Sequence, residues 1–173
     1  MEGLLRTAAV MAVVAASAVP SAVGGASSET VVAGGHWSGV SWRMSATDYA
    51  TGGYCLFIAV PATVTQPSEG CGSLALKGRH AISFLEHTGR PRPDYIVGPV
   101  LATARLVEIS LANGKVLRAQ TIAPRRGLAR SIRFYAEQVP CGVRPTRLLA
   151  RDRGGKVVAR RSIRQLGPGN ASC

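Results

Sequence analysis

The stretch ARLVEISLANGKVLRAQTI, residues 104–122, leaves the chain few choices of conformation. Leu111-Ala112-Asn113-Gly114 suits a type I turn with Gly114 in the left-handed position. Counting outward from that turn pairs Ile109 with Leu117, Val107 with Ala119 and Glu108 with Arg118. One face of the pair is then apolar and the other holds opposite charges, the pattern of a half-buried antiparallel hairpin. The same texture runs through the rest of the chain. Gly and Pro recur every few residues between short runs rich in β-branched and aromatic residues, and no capped stretch of helical periodicity appears.

These runs predict strands at residues 39–46, 54–60, 73–77, 81–86, 95–97, 105–111, 116–122, 131–136, 146–151 and 156–163. Short strands at this spacing predict an all-β fold, an antiparallel β-sandwich. Residues 1–26 have the layout of a secretory signal peptide. Arg6 precedes a 13-residue Ala/Val-rich run, Pro20 ends it, and small residues lead to a cleavage site after Ala26. That run is shorter than the roughly 20 residues a membrane-spanning helix needs. Residues 27–38, small and Gly-containing, read as a flexible mature N-terminus, and residues 39–173 as a single β-sandwich domain. The expected location is therefore outside the cell or in its envelope.

All four cysteines lie beyond the leader, where an even count reads as disulfides. Cys55–Cys71 and Cys141–Cys173 are the favoured pairs, because each staples one half of the chain. No CxxC or CxxH spacing is present, so no metal site is expected. The net charge is +12, and it is unevenly spread. Residues 27–123 hold eight Lys/Arg against six Asp/Glu, whereas residues 124–173 hold twelve against two. Eighteen of the 21 basic residues are arginine, whose planar fork suits phosphate and carboxylate.

The basic half centres on RPTRLLARDRGGKVVARR, residues 144–161. Asp152-Arg153-Gly154-Gly155 repeats the turn chemistry of the first hairpin, and GKVVARRSI echoes GKVLRAQTI. Leu148, Leu149, Val157 and Val158 beside a specific turn favour a folded hairpin over a disordered basic tail. A three-residue loop pairs Asp152 with Lys156 but sets Arg147 against Arg161; a two-residue loop sets Arg147 against Arg160. Either register opposes like charges. Arg144, Arg147, Arg151, Arg160 and Arg161 are the candidate anion-binding residues, expected to be mostly exposed on this hairpin.

YIVGPV, VEISLANGK and TIAPRRGLARSIRFYAEQVPCGVRPTRLLARDRGGKVVAR resemble segments of small secreted proteins of high-GC actinobacteria that have no assigned activity. The resemblance covers about residues 94–161 and implies export and an Ig-like fold. It carries no catalytic residue across.

Signatures of catalysis are sparse. His36, His80 and His87 are the only histidines, and no HExxH motif or GxSxG elbow occurs. Ser38 with a distant His, or two of Asp48, Glu69, Glu86, Asp94, Glu108 and Glu137, are the residues left for a hydrolase. No Gly-rich loop opens a helix after a strand, so no nucleotide cofactor is expected. Trp37 and Trp42 are a candidate carbohydrate platform, although a regular strand would put them on opposite faces. Phe134 and Tyr135 neighbour Arg130 and Arg133, and alternation predicts Phe134 in the core and Tyr135 at the surface. One outward aromatic is thin support for base stacking, so nucleic acid is disfavoured. The expectation is a non-catalytic exported domain whose partner is anionic cell-wall polymer or lipid headgroups, with a hydrolase carrying a non-local His/carboxylate site as the alternative.

Overall fold

The computed structural model describes residues 30–37, 40–49, 53–59, 68–73, 75–78, 81–87, 94–124 and 131–164. Its strands are β1 (Thr30–Trp37), β2 (Val40–Tyr49), β3 (Gly53–Ala59), β4 (Ser68–Ser73), β5 (Leu85–His87), β6 (Tyr95–Leu101), β7 (Leu106–Leu111), β8 (Val116–Gln120), β9 (Ile132–Gln138), β10 (Pro145–Arg151) and β11 (Val157–Ser162). They form antiparallel sheets in the orders β1-β2-β3-β4, β5-β6-β9 and β11-β10-β7-β8. No α-helix occurs among the described residues. The expected leader at residues 1–26 lies outside them.

The sheets are stacked so that the β5-β6-β9 sheet is covered on both faces. Tyr95, Val97, Ile132 and Phe134 point one way and pack with Met44, Ala46, Leu56 and Ile58 of the first sheet. Ile96, Val100 and Tyr135 point the other way and pack with Val107, Ile109, Leu148 and Ala150. This explains why β6, YIVGPVL, has no polar alternation: a strand apolar on both sides needs cover on both sides. It also corrects the reading of Tyr135, which is as fully buried as Phe134. The alternation was right, but neither face of β9 meets water at that point.

β1 differs from the flexible N-terminus expected at residues 27–38. Val32, Ala33 and Trp37 are buried, and the strand pairs with β2 from Thr30↔Ala46 to Trp37↔Val40. Its glycines serve packing: a Cβ on Gly35 would come within 3.1 Å of the Trp42 indole. Trp37 and Trp42 stack at 4.7 Å between centroids, and Trp37 stacks in turn on Tyr95 at 5.6 Å. That stack runs into the core, which removes the carbohydrate platform.

The β7–β8 hairpin has the expected register, Glu108↔Arg118, Ile109↔Leu117 and Val107↔Ala119, with Gly114 at φ 83°. β4 lies earlier than the predicted 73–77, at Ser68–Ser73, and Cys71 sits directly opposite Cys55. The Cys55–Cys71 disulfide is formed, with a Cα separation of 4.0 Å. Cys141 is disulfide-bonded as well; its expected partner, Cys173, lies outside the described residues.

Candidate functional site

The outer sheet β11-β10-β7-β8 buries one face and presents the other to solvent. Alternation decides which residues go where: LVEISL in β7 buries every second residue, and Leu148 and Ala150 are the buried positions of β10. The outward set is then Arg118 on β8, Glu108 on β7, Arg147, Leu149 and Arg151 on β10, and Arg160 on β11. Pairing places Arg118, Glu108, Leu149 and Arg160 in one row across the four strands. Neighbouring strands are about 4.8 Å apart, so these side chains share one surface.

Glu108 is the acidic residue of that surface among the described residues. Its carboxylate accepts from Arg151 Nε at 2.8 Å and lies 3.8 Å from Arg118 Nε. Arg151 also donates to the Gly155 carbonyl, at 2.9 Å. Arg147 and Arg160 are exposed and have no carboxylate partner among the described residues. The nearby Asp152 is occupied, its Oδ1 accepting from the backbone N–H groups of Gly154 and Lys156, each at 2.9 Å.

The five arginines expected to bind anions therefore separate. Arg147, Arg151 and Arg160 share the outward face. Arg161 does not, because the β10–β11 pairing shifts register between Ala150 and Arg151. Asp152 N–H still bonds the Lys156 carbonyl, as the three-residue loop predicts, but beyond the bulge Arg147 faces Ser162 and Arg161 faces the buried Leu148. The like-charge opposition is thereby avoided. Arg161 points inward at the sheet edge, 4.9 Å above the Phe84 ring, and donates to the Ile82 carbonyl at 3.2 Å. Arg144 is half-buried in the loop before β10, where its charge opposes the effect of burial on Glu86. Arg118 was missed as a site residue; the hairpin register already placed it beside Glu108, but its closeness to Arg151 needed the β7–β10 pairing.

Several of the catalytic candidates fall outside the described side chains. His36 is exposed on β1, His80 and Ser38 lie outside the described residues, and so does the side chain of His87. Glu86 and Glu137 both register with Ile96, one on each neighbouring strand, and burial raises both carboxyl pKa values. The fully buried Ile96 lies between them. Among the described residues no group of His, Cys, Asp and Glu is placed to hold a metal ion. Comparison with protein-family models, curated proteins and solved structures finds no match to this chain.

Proposed function

We propose that this is an exported, non-catalytic β-sandwich protein that adheres to anionic cell-envelope material through the outer face of the β11-β10-β7-β8 sheet. The observation that carries the reading is the face itself: among the described residues, Arg118, Arg147, Arg151 and Arg160 stand against the one carboxylate of Glu108. Export is supported by the leader-like N-terminus and by disulfides, which persist in oxidising compartments. No helix among the described residues is long and apolar enough to cross a membrane. An Ig-like assignment of the sheets 81–164 is supported by strand order. Taking β5, β6 and β9 as A, B and E, and β11, β10 and β7 as G, F and C with β8 beside C, matches the Ig sheet orders except that no strand D stands beside E among the described residues. The resemblance to small secreted actinobacterial proteins agrees with this reading.

Attraction at such a face is weak per contact, about 1 kcal/mol or less, because exposed charges are screened by water and salt. Binding therefore depends on several arginines acting together. Retention on anionic cell-wall material or heparin is expected to fall steeply between low and moderate salt. A variant carrying Arg118→Gln, Arg147→Gln and Arg160→Gln together should elute much earlier with its circular dichroism unchanged. Arg161 is left in place because it is packed inward. Retention that survives high salt, or a triple variant held as tightly as the parent, would remove the electrostatic basis of the reading.

A further inference from the structure

The outer face is not uniform, and its division bears on the kind of anion it can take. On the β7–β8 side, Glu108 already occupies Arg151 and approaches Arg118. On the β10–β11 side, Arg147 and Arg160 are exposed, and no carboxylate pairs with them among the described residues. Arg147 faces Ser162 and Arg160 faces Leu149, so the two arginines are diagonal neighbours, about 7–8 Å apart at the backbone. Arg153 and Lys156 extend the positive charge to the hairpin tip, both exposed.

Two features separate the possible anions. Arg147 and Arg160 of this face are solvent-exposed, so a single small anion would meet only screened contacts, whereas a chain of phosphates sums them and releases counterions from each. Val116 is the exposed large hydrophobic among the described residues, which is little to insert into a bilayer. Phe134 and Tyr135, the aromatics nearest in sequence, are buried and offer no surface on which bases stack.

The geometry points to a linear phosphate polymer lying over β10 and β11, engaged by Arg147 and Arg160, with Glu108 as the residue that limits its affinity. This rests on the proposed adhesion to anionic material and names the partner class and the residues that decide it. Glu108 acts in two ways: its own charge repels the polymer, and it holds Arg151 and Arg118 away from it. Removing that charge ends the repulsion and loosens Arg151 and Arg118, although Arg151 keeps its bond to the Gly155 carbonyl, whereas the same change of net charge at Asp152 loosens neither.

The test uses labelled long-chain inorganic polyphosphate, with orthophosphate and anionic phospholipid vesicles as separate arms. Arg147→Gln/Arg160→Gln should weaken polyphosphate binding about tenfold at low salt and reduce the log–log salt slope by about 1.5. Arg153→Gln/Lys156→Gln removes equal charge at the hairpin tip and should cost clearly less. Glu108→Gln should tighten binding by about threefold or more, and Asp152→Asn, which keeps the turn acceptor, should change it by less than half of that. Orthophosphate at equal phosphate concentration should not compete. Equal effects of Glu108→Gln and Asp152→Asn, or of the two arginine pairs, would overturn the assignment while leaving general anionic adhesion intact. Tighter binding to vesicles than to polyphosphate would overturn the polymer. A parent protein that binds neither polyphosphate nor wall material would overturn the proposed function itself. Thermal unfolding of each variant shows that folding is preserved.

Discussion

Ser83 shows how single residues join the layers. It lies opposite Pro99 in register with the β5–β6 pairing, and its N–H donates to the Pro99 carbonyl at 3.0 Å. Proline has no N–H to return, so the Ser83 carbonyl would be left without a partner. The Tyr135 hydroxyl supplies one at 2.8 Å. Tyr54 of the first sheet hydrogen-bonds the Ser83 side chain, and Arg161 of the outer sheet reaches its Oγ at 3.4 Å. Tyr135→Phe should therefore cost about 1–3 kcal/mol in denaturant unfolding, the penalty for a buried acceptor left unmade. A loss near zero would mean the hydroxyl is not needed there. Glu137 gives a second test at this scale. Burial raises its pKa above the ordinary 4.5, partly offset by a backbone hydrogen bond at Gln138. The folded state thus binds its proton more tightly than the unfolded chain, so this group destabilises when ionised. Its contribution improves as pH falls through the raised value toward 4.5 and changes no further below that. Glu137→Gln should raise the melting temperature at neutral pH and shrink the gain on acidifying to about pH 5.

At the scale of the element, the β10–β11 hairpin shows how one bulge sorts like residues into different roles. A slip of one residue sends every side chain of a strand to the opposite face. With the observed bulge Arg160 points out and Arg161 in; the unbulged three-residue loop would reverse them. An inward charge and a bulge on an edge strand also discourage pairing with another chain. Arg161→Gln should therefore destabilise the fold by about 1–2 kcal/mol, through the lost contact with Phe84 and the bond to the Ile82 carbonyl. Arg160→Gln should stay within about 0.5 kcal/mol. Equal losses, or the opposite order, would show that the register differs from the one described.

For the whole molecule, the stacking makes the first sheet a structural requirement. β6 and β9 bury Tyr95, Val97, Ile132 and Phe134 against it. A chain lacking residues 30–73 would expose these side chains together, an apolar patch that a soluble monomer does not tolerate. It should be recovered as aggregate or as a species that binds a hydrophobic dye, whereas the parent should unfold in one cooperative transition. A soluble, cooperatively folding truncation would contradict the stacked arrangement. The same stacking leaves the outward surface of β11-β10-β7-β8 free to carry its arginines, since its other face alone serves the core.

What the sequence by itself determined is local. Residues 104–122 prescribed β7, β8 and their register, because a turn and period-2 alternation act between neighbours. The spacing of Cys55 and Cys71 likewise indicated a staple within one half, and the same turn chemistry placed β10 and β11. The Ala/Gly-rich β1 and the Gly-rich β4 carried little strand signal of their own; β1 is defined by Val32, Ala33 and Trp37 packing into a core built by distant segments. Burial of Tyr135, the inward turn of Arg161 and the meeting of Arg118 with Arg151 at Glu108 all depend on pairings between residues far apart in the chain. Only tertiary structure decided these, because hydrophobic burial and register are settled by what lies opposite a strand, and no local pattern specifies that.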